Sequence, residues 1–179
     1  MERAFSLGED HPLHRWIRGL TEYTFMQRLG MGDPGIVDYL SALLIRGVAT
    51  DTLNPAADPF PSADLGTLCE LQKIAREGSS QIATEAFRRL GDRNLFLTGV
   101  FPESVERRNA WRSGDLRMMT LTGKRAYQVA GELDRSQAPV MHRLSESFEV
   151  CAHGLREVRQ AWEEESATNR DRKIWGVPG

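Results

Sequence analysis

This chain of 179 residues has the length of one ordinary domain, with a formal net charge of −2 and a sequence pI of about 6.1. The near balance of charge argues against bulk electrostatic binding to nucleic acid or to membranes. The two cysteines, Cys69 and Cys151, have apolar helical neighbours, which predicts reduced core thiols rather than a disulfide framework. The first twelve residues contain no apolar segment typical of a secretory signal, so we expect a cytoplasmic protein.

The first half of the chain predicts two helices followed by a loop. Apolar residues at helical spacing indicate a first helix over residues 12–29, and Asp33 and Pro34 then have the residue types of an N-cap and a first helical position. The second helix is apolar around most of its circumference, so we expect it to be the most buried. Residues 50–62 contain three prolines and predict an irregular loop, either a surface wrap or a lid over a site.

The second half predicts further helices and no strands. Helical spacing indicates a helix over residues 64–76, one from residue 81 whose pattern continues to residue 100, a short one over 103–109, one over 115–133 and a last one over 139–165. We therefore predict an all-α fold, an antiparallel bundle of about six or seven helices. Its single domain covers residues 1–165, and residues 166–179 form a polar C-terminal tail that we expect to be poorly ordered unless Trp175 docks onto the bundle.

The last predicted helix carries an unbroken apolar stripe, whose members recur at steps of three and four residues. The stripe consists of Met141, Leu144, Phe148, Cys151, Leu155, Val158 and Trp162. Such a stripe must be covered by another helix. All of its members except Cys151 are candidate interface residues for a homodimer or for another protein partner. The alternative is that other helices of the same chain cover it.

The segment from Gly91 to Glu103 contains the densest group of constrained residue types. Two glycines at helical positions, Gly91 and Gly99, predict that another element approaches the backbone closely. Asp92 follows Arg88 by four residues, which is an ion-pair spacing on a helix. The segment is either a tight helix crossing fastened by charges or one wall of a ligand pocket, with the helix around Leu40 as the other wall. The candidate ligand contacts are Asp92, Arg107, Arg108 and Tyr127.

The same segment carries a resemblance. Its Gly91-Asp92 and Leu95-Phe96 pairs, the spacing of Gly99 and Phe101, and the basic pair Arg107-Arg108 resemble a group of uncharacterised, all-helical bacterial proteins. The resemblance covers about residues 15–130 and implies a helical fold, but it implies no activity and no catalytic residue. The chain departs from the group at Met118-Met119, where the group has aromatic residues. A site lined by those aromatic residues would therefore not be transferred to this chain.

The sequence contains no catalytic, metal-binding or nucleotide-binding motif, and we expect no metal and no cofactor. The spacing of His11, His14, His142 and His153 does not suit a shared metal ion. The leading hypothesis is a non-enzymatic interaction or regulatory protein that acts through protein–protein contacts. The alternative is a small-molecule-binding bundle, which could be an enzyme. A weaker alternative is a nucleic-acid-associated regulator, suggested by a surplus of basic residues in 85–125.

Overall fold

The computed structural model describes residues 12–53, 80–103 and 116–174, with side chains described outside 48–53 and 166–174. These ranges contain helices and no strand, which confirms the predicted all-α fold. The helices are α1 (Pro12–Glu22), α2 (Pro34–Leu53), α3 (Ser80–Val100), α4 (Leu116–Leu133), α5 (Ala138–Glu146) and α6 (Phe148–Ile174), and a π-helical segment, Tyr23–Arg28, continues α1. The predicted helices over 64–76 and 103–109 lie outside the described residues, apart from Glu103.

Helices α3 and α4 pack side by side in opposite directions. At one end of the pair, the Ser80 hydroxyl donates to the Leu133 carbonyl oxygen at 3.4 Å. Further along the pair, a Cβ atom added at Gly123 would lie 3.1 Å from the Cβ of Asn94. Because residues early in α3 face residues late in α4, the pair confirms the predicted antiparallel arrangement.

Helix α1 and its π-helical continuation run antiparallel to α6. The ring of Trp16 packs edge-on against that of Trp162, with 5.1 Å between centroids. Towards the other end of the pair, Arg28 forms an ion pair of 3.2 Å with Glu157. These two contacts hold the N-terminal helix and its π-helical continuation against α6 between Glu157 and Trp162. Among the described residues, no helix is long and apolar enough to cross a membrane.

The start of α2 follows from its sequence. Asp33 Oδ1 accepts hydrogen bonds from the backbone N–H groups of Gly35 at 3.0 Å and Ile36 at 3.3 Å, which confirms Asp33 as the N-cap. The helix supplies Leu40 and Leu43 to the core, both fully buried, as expected from its apolar circumference. It continues to Leu53, so the first four residues of the loop predicted over 50–62 are helical. The rest of that loop lies outside the described residues.

The π-helical segment changes the phase of the first helix. Ile17 and Thr21 face the core, and an uninterrupted α-helix would turn Arg28 to the same side. A π turn holds one extra residue, and here the N–H of Leu29 reaches back to the carbonyl oxygen of Thr24 at 3.1 Å. Arg28 is thereby turned outward and is 50 % exposed, while Thr24 and Phe25 are fully buried. The Phe25 ring lies over Gly154 of α6, where an added Cβ would come within 2.2 Å of it.

The last predicted helix, over 139–165, is divided in the structure. Helix α5 ends before Ser147, whose N–H still bonds the Arg143 carbonyl oxygen at 2.9 Å. The N–H of Cys151 bonds the Ser147 carbonyl oxygen at 2.8 Å, so α6 begins with almost no gap. At its other end, α6 extends to Ile174, so the first nine residues of the tail predicted from residue 166 are helical.

The apolar stripe of α5 and α6 is covered within the chain. Five of its candidate interface residues have at most 1 % of their surface exposed: Met141, Leu144, Phe148, Leu155 and Val158. The sixth, Trp162, is half-buried against Trp16. Glycines on α3 and α4 allow this cover, because Gly123 lies against Phe148 and Gly99 against Leu155. Other helices of the same chain therefore cover the stripe, which was the alternative to a protein partner. Self-association stays a prediction, and it needs a different surface.

Cys151 is expected to be chemically inert in the folded protein. Its side chain is fully buried, and burial, followed by the nearby charges of Asp33 and Glu149, raises the pKa of its thiol to about 12. Since the thiolate is the reactive form, an alkylating reagent at pH 8 should leave Cys151 unmodified in the native protein and modify it fully in urea. Peptide mapping by mass spectrometry measures both states. Equal modification in the two states would contradict the buried position.

Candidate functional site

Asp92 of α3 is the most deeply buried charged side chain that the structure describes, with 2 % of its surface exposed. Its Oδ1 atom accepts hydrogen bonds from the phenols of Tyr39 at 2.6 Å and Tyr127 at 2.9 Å. Its Oδ2 atom accepts from the guanidiniums of Arg46 and Arg88, both at 3.0 Å. We refer to these five side chains as the Asp92 cluster. A carboxylate has about four lone-pair positions, and here four donors from the same chain occupy them.

Local sequence explains part of this geometry. Arg88 and Asp92 are four residues apart on α3, and the ion pair predicted from that spacing is confirmed at 3.0 Å. Tyr39 and Arg46 are seven residues apart on α2, which places them two turns apart on one face of that helix. Both side chains therefore reach the same carboxylate from one neighbouring helix.

Gly91 brings the fifth member, Tyr127 of α4, to the cluster. A Cβ atom added at Gly91 would lie 2.7 Å from the Tyr127 ring, inside any acceptable contact distance. The glycine therefore lets the ring lie directly on the backbone of α3, with its hydroxyl on Asp92. Gly99 has the same relation to α6, where an added Cβ would lie 2.9 Å from the Cβ of Leu155. The close approach predicted at both glycines is confirmed.

Glu85 forms a second charged layer next to the Asp92 cluster. It accepts two hydrogen bonds from Arg88, at 2.7 and 2.9 Å, and one from Arg89 at 2.9 Å. The two bonds to Arg88 are the parallel arrangement that fixes a guanidinium plane. Arg88 is thus held from one side by Glu85 and from the other by Asp92, so its orientation is determined within the chain.

The protonation states of the Asp92 cluster follow from its donors. Burial raises the pKa of Asp92, while the charges of Arg46 and Arg88 and the hydrogen bonds from the two phenols oppose that rise. A guanidinium can only donate, so two of them at one oxygen favour the ionised carboxylate at neutral pH. Burial and the Asp92 charge raise the pKa of both phenols. Each phenol therefore remains a hydrogen-bond donor and is unsuited to act as a general base.

The structure brings together two of the four predicted ligand contacts. Asp92 and Tyr127 are joined by a hydrogen bond, whereas Arg107 and Arg108 lie outside the described residues. Sequence reasoning missed Tyr39 and Arg46. Their signal was the spacing of two polar side chains along one face of a mainly apolar helix, which suggests a shared buried partner.

A polar depression lies away from the Asp92 cluster, between the start of α3 and the turn that follows α4. Its volume is about 470 Å³, and its lining is mainly polar: Ser80, Gln81, Thr84, Glu85, Leu133, Asp134 and Ser136. The predicted pocket was placed elsewhere, between α2 and the middle of α3. Glu85 lines this depression and also accepts the hydrogen bonds from Arg88, so it connects the depression to the Asp92 cluster.

Glu85 is expected to contribute stability that is lost in acid. Its hydrogen bond from Arg88 lowers its pKa in the folded state, so the contribution is present above the unfolded pKa of about 4.3 and disappears as the pH falls through the folded value. Because Glu85 is 44 % exposed, Glu85→Gln should cost only about 0.5–1 kcal/mol at pH 7, and it should cost less at pH 3. Urea unfolding at the two pH values measures the difference.

The matched control is Glu146→Gln, which alters an exposed glutamate of α5. This change should leave the free energy of unfolding within about 0.5 kcal/mol at both pH values, as is usual for a surface substitution. A loss for Glu85→Gln that is equal at pH 7 and pH 3 would show that charge is not the cause.

Within the described ranges, no group of three or more His, Cys, Asp or Glu side chains is placed to hold a metal ion. No protein-family model, curated protein or solved structure matches this chain. The comparisons therefore add no function to the resemblance drawn from the sequence.

Proposed function

We propose that this chain is a non-enzymatic helical protein that acts through contacts with other protein chains. The observation that carries the proposal is the saturation of Asp92: its acceptor positions are taken by Tyr39, Tyr127, Arg46 and Arg88. A catalytic carboxylate needs a lone pair or a proton that substrate can reach. The Asp92 cluster is therefore better suited to holding α2, α3 and α4 together than to catalysis.

Exposed apolar side chains supply a surface for such contacts. On α4, Met118 and Leu121 are 56 % and 51 % exposed, and their spacing of three residues places them on one face of the helix. On the π-helical segment, Tyr23 and Met26 also project outward. Methionine and tyrosine are among the residue types enriched at protein interfaces. We take the Met118–Leu121 face as the first surface to test, with a second copy of the chain as the first partner.

The experiment is native mass spectrometry combined with light scattering on freshly purified protein at tens of micromolar. A dimer without additional mass is the expected result. A monomer with no bound molecule would contradict self-association and leave a different protein as the partner. A monomer that carries a co-purified small molecule would contradict the proposal and favour a ligand-binding bundle.

Variants then connect the dimer to its surface. Met118→Lys combined with Leu121→Lys should shift the dimer to monomer, because two charges would be buried without partners. The control is Gln128→Lys, which places one charge two turns further along the same outward face, near Glu132 rather than near the apolar pair. Loss of the dimer in the control as well would remove the assignment to Met118 and Leu121.

The small-molecule alternative has one observation in its favour, the polar depression at Ser80 and Asp134. Its lining is more polar than that of most ligand pockets, which are mainly apolar. Asp134→Asn and Thr84→Val would weaken a ligand there without touching the Asp92 cluster. The nucleic-acid alternative is tested by retention on heparin, which should fall steeply with salt if phosphates are bound.

A further inference from the structure

We draw no further inference here: the strongest candidate, the π-helical segment Tyr23–Arg28 with its buried and unpartnered Thr24 hydroxyl, is explained by the packing of Phe25 on Gly154 already described, and nothing in the structure shows what would bind there.

Discussion

Asp92→Asn is expected to lower the free energy of unfolding by about 3–5 kcal/mol, the range found when one partner of a buried ion pair is removed. The substitution keeps the size of the side chain. However, it turns one acceptor oxygen into an NH₂ group that faces donors, and it leaves the charges of Arg46 and Arg88 without their buried counter-charge. Urea unfolding followed by circular dichroism measures the loss.

Asp38→Asn is the matched control for that experiment. Asp38 lies on α2, as do two members of the cluster, and its ion pair with Arg18 is 2.6 Å long, but its side chain is 59 % exposed. The same chemical change there should cost no more than about 1 kcal/mol, as is usual for a surface ion pair. If Asp92→Asn costs no more than the control, Asp92 does not fasten the helices, and a binding role for it gains support.

Gly91→Ala and Gly19→Ala are expected to change stability in opposite directions. An added methyl group at Gly91 would meet the Tyr127 ring at 2.7 Å, so the ring must move away from Asp92, which should cost about 1–3 kcal/mol. Around Gly19, in the middle of α1, nothing lies within 4 Å of an added Cβ. There the alanine should stabilise the helix by about 0.5–1 kcal/mol, because it restricts the unfolded chain.

Thermal unfolding of the two alanine variants shows whether the steric contact with Tyr127 outweighs the general gain from replacing a helical glycine by alanine. The expected result is a lower Tm for Gly91→Ala and a higher Tm for Gly19→Ala. A rise for both would mean that α3 and α4 have room to separate at Tyr127. Combining Gly91→Ala with Tyr127→Phe provides a further check. Both changes disturb the same hydrogen bond to Asp92. The double variant should therefore lose less free energy of unfolding than the two single variants lose together.

Features set by neighbours in sequence could be predicted. Asp33 and Pro34 mark the start of α2 because a cap acts on N–H groups two and three residues away. The Arg88–Asp92 ion pair follows from helix geometry. Tyr39 and Tyr127 could not be assigned to Asp92 in the same way. They are separated from it by 53 and 35 residues, and only the packing of α2, α3 and α4 brings them to it.

The differences between prediction and structure also have a tertiary cause. Residues 23–28 contain no proline or glycine, yet Tyr23–Arg28 is π-helical, and there the Phe25 ring lies against Gly154 of α6. The apolar stripe of α5 and α6 shows a helix surface that needs cover. Periodicity does not say which chain provides it. Here glycines on other helices, Gly99 and Gly123, create the space.

One carboxylate joined to three helices also determines how the protein can open. If α2 separates from α3, Asp92 loses Tyr39 and Arg46 together, and if α4 separates it loses Tyr127. Either movement leaves a buried charge short of donors, so neither helix can open at low free-energy cost while the other stays in place. The amide protons in the middle of α2, α3 and α4 should therefore exchange with solvent as one cooperative unit, whereas the ends of α1 and α6 exchange independently.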